Sequence, residues 1–141
     1  MIQKENKKAI PGSFRDPAGF LFLSSGKLYR QVNKVCRDDY ECLMNSGLFD
    51  DLVKKGHVIS HKEVPEQADG GADADKEKYK TIEPEKIPFI SYPYEWCFSQ
   101  LKDAALLMLE IQKRALHHGM SLKDASAYNI QFKDSKPIFI D

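Results

Sequence analysis

Hydrophobic and polar positions alternate along the first third of the chain with the period of β-structure. In "GFLFLSSGKLYRQVN", Phe20 to Leu23 and Lys27 to Val32 flank the polar turn Ser24-Ser25-Gly26, which predicts a β-hairpin. Phe20 and Phe22 point one way and Leu21 and Leu23 the other, so both faces of that strand need cover. On the return strand Leu28, Arg30 and Val32 share one face, and Tyr29 and Gln31 share the other. The period then lengthens. Tyr40, Leu43, Met44, Leu48, Leu52 and Val53 follow helical spacing, with Asp38 or Asp39 able to cap the start and Gly56 able to close the end. Asn45-Ser46-Gly47 interrupts that stripe, so the segment reads as one long helix or as two short ones at an angle. "HVISHKEV", residues 57–64, predicts a further strand.

"YKTIEPEKIPFISYPYEW" is extended by necessity, because Pro84, Pro88 and Pro93 each remove a backbone donor and bias the preceding residue away from helix. It reads as an edge strand and a connector. Its Tyr92, Tyr94 and Trp96 either pack the connector onto a core or present an aromatic surface to a partner. Residues 97–118 predict a long helix, with Ser99 as a possible cap and Gly119 just past the end. Asp103, Glu110, Arg114 and His117 form one narrow polar strip on it, and Glu110 is placed to pair with Arg114 one turn on. Leu101, Ala105 to Leu109, Ile111, Ala115 and Leu116 cover most of the remainder. That pattern predicts a helix buried among other elements, with more apolar surface than a chain of 141 residues readily covers.

The fold class expected is α+β: a small antiparallel sheet with one or two short helices, a connector, one long buried helix and a closing β-hairpin. Length alone predicts one domain. Within it, residues 1–13 read as a flexible tail and 14–96 as a first α+β part, with a mobile acidic loop at 66–78. Residues 97–141 then carry the helix, a loop and the hairpin.

Composition narrows the function classes. Lys plus Arg and Asp plus Glu both number 21, so zero formal charge gives no electrostatic reason to expect nucleic acid or an anionic membrane as partner. No run approaches the ~20 apolar residues of a membrane span, and the polar start "MIQKENKK" lacks a signal-peptide core, so a cytoplasmic setting is expected. Cys36, Cys42 and Cys97 make no Cys-x-x-Cys pair and read as buried thiols of a reducing compartment. His57, His61, His117 and His118 are not spaced with them as zinc ligands, and Asp69, Asp73 and Asp75 lack the calcium-loop order.

The candidate chemistry lies in "SLKDASAYNIQFKDSKPIFID". Asp124 is followed five places on by Asn129, then by the apolar runs "IQF" and "PIFI" across the turn residues "KDSK", and the second run leads to Asp141. Two readings stand side by side. In one, Asp124 bonds backbone amides of its own loop and Asn129 bridges loop to hairpin. In the other, the three residues form a site. A buried helix, Asp-x-x-x-x-Asn, a hairpin and a final Asp resemble the order in protein-kinase-like and aminoglycoside-phosphotransferase-like folds. That resemblance implies a kinase-like half-scaffold binding ATP and Mg²⁺, with Asp124 acting on the accepting hydroxyl and Asn129 and Asp141 holding the metal. Arg30 and Lys123 are the candidate cofactor-binding cations. The first hairpin carries no G-x-G-x-x-G, and no Val-Ala-Ile-Lys follows it.

A second resemblance runs through "SFRDPAGFLF", "GKLYRQVN", the block from Ile87 to Phe132, and "PIFID". These stretches are similar to the amino-terminal region of nodulation-protein-related, SAM-dependent methyltransferases. The resemblance implies a parent protein that continues past Asp141 into a methyltransferase domain, its partner in the same chain. The SAM site would lie in that domain, since no G-x-G-x-G occurs here. The expected function is then an accessory, substrate- or partner-binding segment that is not catalytic by itself. The alternative is a phosphotransferase or pseudo-kinase fragment.

Overall fold

The computed structural model describes residues 8–13, 16–65 and 76–141. The expected class is observed: three α-helices, an antiparallel sheet and a separate two-stranded hairpin. Length predicts one domain, yet the chain separates into two compact units interleaved in sequence. The first comprises residues 1–40 and 60–86, the second 41–59 and 87–141.

The first unit is built on a sheet of order β1-β2-β3-β5-β4, formed by β1 (Lys8–Ala9), β2 (Gly19–Ser24), β3 (Lys27–Asn33), β4 (His61–Val64) and β5 (Lys78–Pro84). The predicted hairpin is β2–β3, pairing Phe22 with Tyr29 and Ser24 with Lys27. Only Ser25 and Gly26 turn the chain, both at positive φ (49° and 76°), as a two-residue turn matched to strand twist requires. Phe22, 1% exposed, stacks on Tyr29 with ring centroids 5.6 Å apart. The face they share also buries Ser24, Gln31 and Thr81, while Val32 and Ile82 are buried on the other. Leu23 remains 40% exposed, so cover on its face is incomplete. Gly19 is required by close approach: a Cβ there would lie 1.9 Å from the carbonyl oxygen of Gln31. Within the stretch read as a tail, Lys8 and Ala9 pair with Leu23 and Phe22, because the adjacent strand offers them a ladder. The acidic loop falls at 66–75 outside the described residues, and by Lys78 the chain is already in β5.

Helical spacing at Tyr40 to Val53 resolves into two helices, α1 (Arg37–Asn45) and α2 (Leu48–Lys54). Gly47 separates them at φ 81°, a backbone state that side chains with a Cβ rarely adopt.

The second unit is organised by α3 (Phe98–His117) and the hairpin β6 (Ile130–Lys133)–β7 (Lys136–Phe139). The cap differs from expectation. The helix opens at Cys97, whose backbone N–H donates to the Gln100 side chain at 3.0 Å, rather than at Ser99. The core gathers Leu48, Leu52, Trp96, Ala104, Leu107, Ile111, Ala115, Ile130 and Phe139. A smaller cluster joins Ile59, Ile87 and Ile138. The expectation of a helix buried nearly all round is corrected. Only Ala104, Leu107, Ile111 and Ala115 are buried on α3, spaced as one stripe, while Leu101, Leu106, Leu109 and Leu116 face solvent. The reading of buried cysteines is corrected too: Cys36 is half-buried, and Cys42 and Cys97 are exposed. Among the described residues, no helix is long and apolar enough to cross a membrane.

Candidate functional site

The loop between α3 and β6 is short and closed by its own polar groups. Ser126 donates its backbone N–H to Asp124 Oδ1 at 3.1 Å, an Asx-type turn. A 3-10 turn at Ala127–Asn129 follows, and Asn129 then turns its side chain back on the loop, donating from Nδ2 to the backbone carbonyl of Asp124 at 3.1 Å. The Asn129 backbone carbonyl in turn accepts from the N–H of Ile140 at 2.9 Å. The residue after that bond is Asp141. One asparagine thus fastens the loop to both the Asp124 backbone and the end of β7.

The geometry therefore brings Asp124, Asn129 and the backbone of Ile140, the residue before Asp141, to one edge of the second unit. It also fulfils the local roles expected of Asp124 and Asn129, since each makes a bond that shapes the loop. Lys123 lies on the same loop and is exposed. Arg30 belongs to the other unit. It lies on β3 in the first unit, where its guanidinium faces the Asp16 carboxylate at 3.5 Å.

Because Nδ2 of Asn129 is used inward, its Oδ1 is the group left for a ligand, and it has no partner among the described residues. A carboxamide oxygen and the nearby carboxylates are hard oxygen donors, the type that suits Mg²⁺ rather than a soft metal. No group of three or more His, Cys, Asp or Glu side chains able to hold a metal occurs among the described residues.

The connector is pinned beside this edge. Gln131, buried on β6, accepts from the backbone N–H of Ser91 at 2.9 Å and donates to the Ser91 carbonyl at 3.0 Å. Trp96 Nε1–H donates to Ser91 Oγ at 2.9 Å, and the indole meets Phe132 edge-on at 5.0 Å. The three aromatics divide in role. Trp96 is buried packing, whereas Tyr92 and Tyr94 stack in parallel (5.5 Å, 4°) on the exposed side.

Two polar clusters hold long-range contacts that the sequence reading does not give. In the first unit, Tyr40 Oη donates to Glu63 at 3.1 Å and lies 3.1 Å from His61 Nε2, while Lys80 Nζ donates to Glu63 at 2.6 Å. Burial, and then the Glu63 charge, push the Tyr40 hydroxyl well up. Burial holds His61 below its usual value, and the Lys80 hydrogen bond holds Glu63 low. In the second unit, Arg114 pairs with Glu110 at 2.6 Å, as its spacing predicted, and with Asp51 of α2 at 2.8 Å. No local pattern could have revealed the Asp51 contact, because its partner is 63 positions away.

The chain is 33% identical over 135 residues to Nodulation protein NoeA of Rhizobium meliloti (strain 1021). The match covers 94% of this chain and 27% of that protein, so the chain spans about a quarter of the length of its relative. No family model and no solved structure matches the chain.

Proposed function

We propose that the chain is an amino-terminal accessory segment of a larger, nodulation-protein-related SAM-dependent methyltransferase, and that it binds a substrate or a partner. The observation that carries this reading is coverage, since nearly all of this chain corresponds to about a quarter of a longer relative. The SAM site and methyl transfer belong in this reading to the rest of the polypeptide. The contribution of the segment is the rigid polar edge where Asp124, Asn129 and Asp141 offer acceptors to a hydroxyl, amide or cation. Calorimetric titration of SAM tests it, using the 141-residue chain and the full-length product of its gene. Heat of binding is expected for the full-length product alone. Binding by neither removes the methyltransferase parent, and binding by the short chain moves the SAM site into it.

One observation favours a second reading, a kinase-like phosphotransferase or pseudo-kinase: the bond of Asn129 to the Asp124 carbonyl, which uses Nδ2 and leaves Oδ1 as the acceptor. Asn129 and Asp141 would then hold Mg²⁺, and Asp124 would take the proton of the accepting hydroxyl. Bound Mg²⁺ would supply charge neutralisation at nucleotide phosphate oxygens. In this reading Lys123 is the phosphate-facing cation on the loop, and Arg30 of the first unit faces Asp16.

A further inference from the structure

Helix α3 exposes an apolar stripe, interrupted by Gln112 between Leu109 and Leu116. Phe98 is 80% exposed, Leu101 41%, Leu109 67% and Leu116 61%, and with Ala105 they fall on one side of the helix, beside the buried stripe. Scattered apolar residues on a surface need no explanation, but a stripe five turns long does. Near its C-terminal end the face has a shallow, open depression lined by Leu109, Gln112, Lys113, Leu116 and His117. Lys102 and Lys113 follow the outer edge of the stripe.

We propose that this face docks an amphipathic helix from the remainder of the longer polypeptide, its apolar side against Phe98, Leu101, Leu109 and Leu116. Acidic residues on the docked helix face Lys102 and Lys113. The proposal rests on the reading of the chain as a segment of a larger protein. Two observations select this occupant. The relative carries about three-quarters of its length outside the match, although the match spans nearly all of this chain. The edge of the face is cationic, so a second copy would bring the same lysines and no complementary charge.

Thiol labelling tests the proposal. With Cys36, Cys42 and Cys97 replaced by Ser, Leu109→Cys is introduced into the 141-residue chain and into the full-length product of its gene. Val35→Cys, at a residue 70% exposed in the first unit, serves as the control. Maleimide labelling at position 109 is expected to be at least about tenfold slower in the full-length product, with the control unchanged. Reversing Lys102 and Lys113 to Glu is expected to restore fast labelling. Equal rates at 109 in both proteins overturn the proposal, as does protection already present in a short chain that sediments as a dimer. The assay reads neither SAM nor nucleotide binding, so failure here is separate from failure of the methyltransferase or nucleotide readings.

Discussion

The side chain of Asn129 donates to the backbone carbonyl of Asp124 across 3.1 Å, tying the two ends of a six-residue loop together. This contact closes the loop on itself. Replacing Asn129 by Ala is expected to cost about 1 kcal/mol or less, because the bond is exposed to water. Asn129→Asp is expected to be worse, since it removes the donor and sets a second charge beside Asp124. Urea midpoints rank the two variants, and faster amide exchange at residues 124–129 marks the loss as local.

Gln131 is expected to be far less tolerant. Its buried side chain satisfies both the N–H and the carbonyl of Ser91, which no strand ladder serves. Gln131→Leu conserves volume and strands both backbone groups, at an expected cost of about 2–3 kcal/mol. Trp96 fluorescence should report the loosening, since its indole N–H bonds the same serine. Wild-type stability in this variant would show that water replaces the glutamine there.

Gly19→Ala forces a methyl group against a backbone carbonyl that has no flexible end to yield. The expected loss is about 1–3 kcal/mol, with weakened exchange protection along β2 and β3. A neutral result would mean that the strand shifts locally at little cost.

The first unit is expected to lose stability in acid. His61 has a folded pKa below its unfolded value, so the unfolded chain gains its proton first as pH falls. The associated stability is present above the ordinary histidine value, about 6.5, and declines below it until the folded pKa is passed. Glu63 is depressed as well, so its contribution is present above the ordinary carboxylate range and is lost in stronger acid. An NMR titration of the His61 ring should give a midpoint below about 6.5. His61→Asn should flatten the upper of the two acid steps.

The elements whose causes are local were readable in the sequence. Alternation and the Ser-Ser-Gly turn gave β2 and β3, the Asn45-Ser46-Gly47 break separated α1 from α2, and spacing alone paired Glu110 with Arg114. The loop that carries Asp124 and Asn129 was also readable as a short connection, and two hydrogen bonds close it, from Asn129 Nδ2 to the Asp124 carbonyl and from the Ile140 N–H to the Asn129 carbonyl. Long-range causes were hidden. Nothing near Gln131 announces Ser91, and nothing near Tyr40 announces Glu63 or Lys80. The amount of apolar surface on α3 was legible, but not which side the remaining elements cover. Arg30 was grouped with the site by charge type, and its partner Asp16 lies far enough along the chain to escape any spacing rule.

Thermal melting with and without millimolar ATP–Mg²⁺ tests most directly what the polar edge does. It is to be run on the full-length gene product, both wild type and Asp141→Ala. An accessory segment predicts that ATP–Mg²⁺ leaves the Tm of each protein unchanged. Stabilisation of the wild type that vanishes in Asp141→Ala would contradict that account. A nucleotide at a hundred times its Kd adds about 2.7 kcal/mol, a shift of several degrees, and Asp141 would then be holding the metal.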